Sequence, residues 1–506
     1  METYGRKTLY TSLEENELNA SSILGVLPDL IVLHDQNKTE SMYLRDYYIG
    51  KQDIRNKVKY TREEINNKTT ENWAFCITEF VKSFILNEPI QYVQRRDGAS
   101  EELTTLNSYM AYENKAYKDS DLVEDIVLTG RGFRYIAPDP KGEEDEAPFE
   151  IENIKSEDCE VVYYSGIGHK QLFAFVETKM IKQQLKESKL TQLDDEDEYE
   201  WVTYSIYTVY TKNKVYKYTT ENGDLEYVKP SELESEDIFP VGHRIYEYYF
   251  NKSRFSLIEA IKPLLDKINQ LESLDMDDME QFVNALMVFK NANITEETIA
   301  QGKELGALLL KSDTNMPADV ELLQGRLQAS DTQVFYDRIL SAMLSIIAMP
   351  FANDNGTYGD TGVARMTGQG WTMADQRSNT LVTSYKMSER ELLKYALRIC
   401  KELNKGISTL KATDIEIRFR INKNANILEK TQALLNLKQA QIAPAVAIPT
   451  CKIFNDEQNA ITESESFYGD TFWQGQTDKG NPNQDIQKQN NDIQDTKEVD
   501  KQKNQI

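Results

Sequence analysis

The sequence contains few of the residues that build metal and redox sites. Its 506 residues include four cysteines and three histidines, which are Cys76, Cys159, Cys400, Cys451, His34, His169 and His243. No two cysteines have C-x-x-C spacing, and no histidine has a second histidine or a cysteine at ligand spacing. We therefore expect reduced, mostly buried thiols, and we predict no metal and no cofactor.

Long apolar runs and an excess of basic charge are also absent. No stretch approaches the roughly 18 consecutive apolar residues of a transmembrane helix, so we expect no membrane span. Residues Met1–Lys7 do not open an apolar signal core, which argues against secretion. Lys and Arg number 58 against 83 Asp and Glu, giving a net charge of −25. That balance disfavours a conventional nucleic-acid binder and a protein held on anionic lipid.

The first 250 residues mix helical and strand patterns. Apolar residues recur at helical spacing over 61–86, and we expect this helix to end before Pro89. Runs of β-branched and aromatic residues predict strands, the last two joined by a hairpin turn, over 161–164, 172–176, 201–210 and 215–218. These patterns favour the α+β class.

Two amphipathic helices bracket a small insertion in the middle of the chain. The first starts at Ser256 and carries apolar residues at steps of three and four through Leu271. The second spans 332–348, and Pro350 prevents it from continuing. Beyond it the pattern predicts a Gly- and Asn-rich loop (353–362), a long helix (369–403) and an alternating strand (415–421). A further helix (427–440) and a disordered polar tail (474–506) follow.

The loop holds the sharpest candidate for catalysis, the triplet Asp360-Thr361-Gly362. A D-T-G triplet can supply one aspartate of a two-carboxylate protease dyad, which requires a loop locked in an apolar sheet. Here the triplet lies among Gly, Asn and Tyr, with Arg365 close by, and three-residue matches are common by chance. No G-K-[ST] follows the loop glycines, so a phosphate-binding loop is not predicted. An acidic cytosolic hydrolase that uses Asp360 stays an alternative.

The two central helices and the passage between them also resemble a known family. Residues Phe255–Gln270 and Asp278–Lys290 resemble the stem-to-clip passage of portal proteins from long-tailed bacteriophages of Gram-positive hosts. Tyr47–Ile54 is similar to the family's early Y-Y-x-G-x-x-x-I motif. Ser83–Tyr92 is similar to its helix end before a G-x-P-I-x-Y turn, with Asn87 where Gly is usual.

The second central helix extends this resemblance. Phe335–Pro350, the Gly- and Asn-rich loop and Gly362–Ala364 resemble the family's second stem helix and tunnel loop. Together the similar stretches cover about residues 40–440. The resemblance implies an α+β portal-type fold, with an α/β wing, a helical stem, a small α/β clip, a tunnel loop and a mainly helical crown.

By that resemblance the chain divides into eight parts. They are the N-terminal part of the wing (1–253), stem helix 1 (254–276), the clip (277–326), stem helix 2 (327–348), the tunnel loop (349–366), a long wing helix (367–404), the crown (405–470) and a disordered tail (471–506).

The resemblance implies a structural protein without enzymatic activity. Copies of the chain, usually twelve, would form a ring at one capsid vertex through which double-stranded DNA is packaged, retained and ejected, without sequence-specific binding. The implied partners are the terminase large subunit, head-completion or adaptor proteins, and the major capsid and scaffolding proteins. Assembly would take place in the host cytoplasm and the product would be part of the virion. Another ring-forming head–tail connector component is a second alternative.

The acidity of the chain fits a conduit that must not bind DNA. At physiological salt the Debye length is about 8 Å, so only charges near the bore act strongly on phosphates. Candidate acidic residues of the bore are Asp266, Asp275 and Glu280. Candidate tunnel-loop residues are Asn353, Asp354, Asn355, Thr357, Tyr358, Asp360 and Thr361. Candidate clip contacts, equally consistent with ordinary solvated side chains, are Lys290, Glu297, Gln301 and Lys303.

Overall fold

The computed structural model confirms the α+β class. It describes residues 4–60, 63–95, 101–139, 146–185, 199–221, 223–231, 236–283, 286–290, 319–323, 329–350, 370–419, 427–440, 442–451, 453–454 and 460–464. Side chains over 182–202, 281–290, 319–331 and 427–429 are not described. None of the helices in these ranges has the length and apolar character that a membrane span requires.

The helices within these ranges include two from the middle of the chain that pack against each other. In chain order the helices are α1 (Ala20–Tyr48), α2 (Trp73–Ile85), α3 (Glu101–Tyr112), α4 (Lys115–Thr129), α5 (Leu257–Val283), α6 (Ala329–Ile347), α7 (Trp371–Glu402), α8 (Ile427–Gln439) and α9 (Pro444–Cys451). Helices α5, α6 and α7 contribute side chains to one apolar core together with α2 and α4.

The strands within the described ranges form four sheets. They are β1 (Leu9–Thr11), β2 (Gln91–Gln94), β3 (Arg131–Pro138), β4 (Phe149–Ile154), β5 (Cys159–Tyr164), β6 (Gln171–Leu185), β7 (Tyr199–Tyr210), β8 (Lys214–Glu221), β9 (Asp224–Pro230), β10 (Glu236–Asp237), β11 (Ile245–Tyr249), β12 (Leu286–Lys290), β13 (Asp319–Leu323) and β14 (Ile415–Arg418). The largest sheet has the order β1-β5-β6-β7-β8-β10, and β9 also pairs with β8. The others are β11-β3-β4, β12-β13 and β14-β2.

The large sheet confirms the predicted strands and hairpin. Strands β7 and β8 are antiparallel, with Tyr210 opposite Val215 across the turn. Strand β1 pairs in parallel with β5 and thereby attaches the N-terminal segment to the sheet. Helix α1 covers one face of this sheet with a buried row that includes Ile23, Leu27 and Ile31, because residues three and four apart share one side of a helix.

A buried charged cluster connects α7 with α4 and with the sheet β11-β3-β4. The Glu389 carboxylate accepts a hydrogen bond from the Tyr248 hydroxyl at 2.7 Å and lies 3.1 Å from Lys115 Nζ. Asp119 accepts from Lys115 Nζ at 2.7 Å and from Arg134 at 2.6 Å. All five side chains are almost fully buried, so each charge depends on these partners for compensation.

The structure differs from the predictions in two helix boundaries and in the placement of one strand. Helix α2 starts at Trp73 rather than near residue 61, because the Asn72 side chain accepts a hydrogen bond from the Phe75 amide and caps the helix there. Helix α5 continues to Val283, past the predicted end of stem helix 1 at 276. Strand β14, in the range predicted as crown, pairs with β2 of the N-terminal part.

Candidate functional site

The paired central helices form the centre of the candidate site. Helices α5 and α6 pack against each other through buried apolar side chains, which include Ile261, Leu265 and Ile268 on α5 and Leu340 and Met343 on α6. The predicted stem helices 254–276 and 327–348 therefore correspond to two helices in direct contact. Strands β12 and β13 pair between them along the chain, where the clip is predicted.

A second side of α5 is polar and is bound by a segment that we call the strap, residues 52–71. The Glu71 amide donates to Asn269 Oδ1 at 2.8 Å, and the Thr69 amide donates to Ser273 Oγ at 3.0 Å. The registers match because two residues of extended chain advance about 6.6 Å and four residues of helix rise about 6 Å. The strap thus descends along α5 by one helical turn for every two of its residues.

We call the series of hydrogen bonds between the strap and α5 the ladder. Its lower end is an ion cluster around Asp277. Its carboxylate accepts from Lys57 Nζ at 2.8 Å, Lys59 Nζ at 3.2 Å and the Asn67 amide at 2.6 Å. Asn67 Nδ2 also donates to Asp277 and, at 3.0 Å, to Glu280. Burial alone would raise the pKa of Asp277, but the hydrogen bonds from Lys57, Asn67 and Lys59 outweigh it and lower the pKa to about 2. The carboxylate is therefore charged at neutral pH and holds the strap on the stem.

The predicted acidic bore residues lie at different places on α5. Asp266 accepts from the Tyr47 hydroxyl at 2.8 Å and from Lys262 Nζ at 2.7 Å, so it faces partners within the same copy. Asp275 is partly buried, and Glu280 is exposed. A role of these carboxylates in lining a bore stays a prediction.

Helix α6 leaves an apolar face uncovered. Phe335, Ile339, Ala342 and Ile346 follow each other at steps of four, three and four, the spacing of one helix face. Phe335 is 58% exposed and Ile346 is 50% exposed, while Ala342 is exposed and Ile339 is partly buried. We call these four residues the α6 stripe. A row of this kind is typical of a helix that packs against another protein surface.

The described residues on either side of the predicted tunnel loop lie close together. A Cβ placed on Gly370 would be 3.9 Å from the Cα of Pro350. Trp371 fixes the position of Gly370 by packing on Phe84 and Phe80 of α2, with ring centroids 6.0 and 6.4 Å apart. Pro350 and Gly370 thus form an anchored base on either side of residues 351–369.

Most of the predicted loop and clip residues lie outside the described residues. These are Asn353, Asp354, Asn355, Thr357, Tyr358, Asp360, Thr361, Glu297, Gln301 and Lys303. Lys290 ends β12, but its side chain is likewise not described. Their assignments stay predictions, as does the tail predicted over 471–506. The described residues contain no group of three His, Cys, Asp or Glu side chains that could hold a metal ion.

Sequence reasoning missed the strap and its ladder. The signal lay in Asn269, Ser273 and Asp277, which are polar at steps of four on a predicted helix. Such residues commonly form a solvated face, and the partners here are mostly backbone amides and lysines about 200 residues away in the chain. Patterns within one helix do not reveal partners at that separation.

Comparison with known proteins identifies the family. No curated protein sequence matches the chain. One similar solved structure is titled "Neck of empty GTA particle computed with C6 symmetry"; it is 11% identical, with a TM-score of 0.41 over 84% of this chain and 93% of that chain. A family model described as phage portal protein, SPP1 Gp6-like, matches residues 29–465, most of the sequence. The chain therefore belongs to the SPP1 Gp6-like phage portal protein family.

Proposed function

We propose that identical copies of this chain, twelve in the particle, close into a ring that conducts double-stranded DNA at one capsid vertex during packaging, retention and ejection. Membership of a phage portal family makes the chain a structural component of a phage particle. In this proposal the paired helices α5 and α6 form the wall of the channel. Pro350 and Gly370, the described residues on either side of the predicted tunnel loop, would lie at the inner end of this wall.

The observation that carries the proposal is the α6 stripe. The described residues of one copy leave Phe335, Ala342 and Ile346 exposed, and an exposed apolar row on a central helix costs solubility unless another surface buries it. Identical copies can bury it by head-to-tail contact, in which one surface meets a different surface of the next copy. Such contacts form a closed ring when the rotation between copies closes.

The charge of the chain supports passage of DNA rather than binding. Each copy carries −25, so a ring of twelve would carry about −300 formal charges. Salt screens charges beyond about 8 Å, so only the carboxylates near the bore would repel the phosphates. That repulsion would keep a duplex centred and mobile, independent of its sequence.

The partners follow from the place of the ring in the particle. We propose that the terminase large subunit docks on the clip during packaging and that head-completion or adaptor proteins replace it afterwards. Major capsid and scaffolding proteins would contact the wing during assembly in the host cytoplasm. The predicted clip contacts Lys290, Glu297, Gln301 and Lys303 are the residues to test for terminase binding.

The test replaces one residue of the stripe. Ile346→Glu places a charge on the surface that should be buried between copies, whereas Ser345→Glu places the same charge one residue away on the exposed side of α6. Light scattering and electron microscopy should show rings for the unmodified protein and for Ser345→Glu, and mostly single copies for Ile346→Glu. An unmodified protein that stays monomeric at high concentration would refute the proposal.

A further inference from the structure

We infer that the tip of the strap, which we define as residues 57–60, 63 and 64, is an intersubunit contact that docks on the lower stem of the neighbouring copy in the ring. The inference rests on the proposed ring and adds a second contact to it, which adjoins the α6 stripe at Phe335. Residues 61 and 62 lie outside the described residues and are not part of the proposed contact.

The tip has two faces because it is extended. Lys57 and Lys59 both reach Asp277, at 2.8 and 3.2 Å, and alternate residues of an extended chain point to opposite sides. Val58 and Tyr60 accordingly point away from the stem and are 69% and 90% exposed. The ion pairs thus hold a valine and a tyrosine in water at a fixed place.

The tip is also held internally, which gives it a defined shape. Lys57 Nζ donates to the Asn67 carbonyl at 3.2 Å, and Lys59 Nζ donates to the Ile65 carbonyl at 2.9 Å. The Ile65 side chain is buried beneath them. Pre-ordering of this kind lowers the entropy lost when an exposed aromatic side chain is immobilised in an interface.

Helices α5 and α6 carry exposed apolar side chains near the anchor of the tip. We call four of them the lower stem patch: Met276 and Met279 on α5, and Val334 and Phe335 on α6. The first two flank Asp277 in sequence, which anchors the tip. Tyr336 follows Val334 and Phe335 in the sequence, and its hydroxyl donates to Glu71 at 2.7 Å. Glu71 lies two steps of the ladder above Asn67, the residue that binds Asp277. The patch therefore spans the stem from the level of the tip upward.

A second copy is the occupant that this geometry favours. Rotation about an axis parallel to the stem moves a copy sideways without changing its height, so the tip of one copy meets the level of the patch on the next. The contact is head-to-tail, as ring closure requires. Charge is complementary as well, since Glu63 and Glu64 on the tip and Arg338 beside the patch are all exposed.

A photocross-linker at position 60 tests the contact. Tyr60→p-benzoylphenylalanine keeps an aromatic ring at a site that is 90% exposed, so the fold should be unaffected. Rings confirmed by electron microscopy are illuminated, separated under denaturing conditions and mapped by mass spectrometry. We expect adducts of two or more copies that join position 60 to peptides of the lower stem patch. Ile167→p-benzoylphenylalanine, at an exposed turn of the wing, should not label those peptides.

The anchoring by Asp277 provides a second readout. Asp277→Ala should lower the yield of the adduct several-fold, because the tip loses its ion pairs, whereas Asp278→Ala removes a neighbouring exposed carboxylate and should leave the yield unchanged. Intact rings in which position 60 labels only its own copy, or no copy, would overturn the inference and leave the proposed ring standing. A protein that forms no rings would overturn both.

Discussion

Replacement of Asp277 by asparagine should release the strap from the lower stem. The substitution keeps the shape of the side chain, so no cavity confuses the result; it removes the charge and replaces one acceptor oxygen by an NH2 donor. Asp277 accepts from Lys57, Lys59 and Asn67 within 3.2 Å, and its own side chain is 1% exposed. Loss of the charge leaves two lysines that no longer have their shared counter-ion.

The magnitude follows from the pKa of the carboxyl. A fall from the ordinary value of about 3.8 to about 2 on folding corresponds to roughly 2–3 kcal/mol of stabilisation at neutral pH. Lys57 and Lys59 are 17% and 23% exposed, so water screens part of this interaction. We therefore expect Asp277→Asn to weaken the attachment of the strap by about 1–2 kcal/mol.

Hydrogen exchange of the strap amides measures this local loss. A change of about 1–2 kcal/mol corresponds to about 5- to 30-fold faster exchange at Asn67 and Thr69, whose amides bind α5. Amides of the large sheet should keep their protection. Asp278→Asn is the matched control and should leave the strap unchanged. Equal protection of Asn67 in the Asp277→Asn and unmodified proteins would refute the reasoning.

The same carboxylate gives a pH dependence with a definite sign. The pKa of Asp277 is lower in the folded protein than in the unfolded chain, so its contribution is present above about pH 4. It should be lost as the pH falls from about 4 to about 2. The ratio of exchange rates between Asp277→Asn and the unmodified protein should therefore approach one over that interval. Comparing two proteins at each pH removes the intrinsic pH dependence of exchange.

Two further substitutions test the interior around α4, β3 and α7. Glu389→Leu should destabilise the protein by about 3–5 kcal/mol, seen as a lower melting temperature, because the buried cations Lys115 and Arg134 would have to share the single negative charge of Asp119. An unchanged melting temperature would show that Glu389 is not needed for charge compensation. Gly130→Ala should destabilise the protein more than Gly168→Ala. Both glycines have positive φ, but a Cβ at Gly130 would lie 2.0 Å from the Arg254 carbonyl oxygen, whereas Gly168 faces open space. Equal melting temperatures for the two variants would contradict this.

The central helices could be predicted from sequence because their apolar period is strong. Helix α6, Ala329–Ile347, agrees with the predicted 332–348 to within three residues. The period indicates that a face is apolar, and it does not say what covers that face. In the structure one apolar row meets α5, whereas Phe335, Ala342 and Ile346 of the α6 stripe stay exposed within the described part of the copy. Separating the two rows required coordinates.

Other elements escaped prediction for identifiable physical reasons. Helix α1 carries Pro28 in its interior and buries His34, Asn37 and Ser41, so its apolar row is interrupted. The side chains of His34 and Asn37 are tolerated because Glu160 on β5 reaches both; Asn37 donates to it at 3.2 Å. Strand β14 was predicted, but its pairing with β2 joins residues more than 300 positions apart, and neither strand encodes its partner locally.

The ladder on α5 changes how the surface of the stem should be interpreted. From sequence alone, the polar side of α5 is the natural candidate for contact with water, DNA or a neighbouring copy. In the structure that side is already occupied, because strap amides and lysines bind Asn269, Ser273 and Asp277. Asn269, Ser273 and Asp277 are therefore not free for contact between copies, whereas the lower stem patch and Tyr60 of the strap stay exposed. Since the strap is fixed to α5 by side chains that point inward, a movement of α5 in one copy would carry Tyr60 with it. The strap would then transmit the movement of a stem helix to the next copy in the ring.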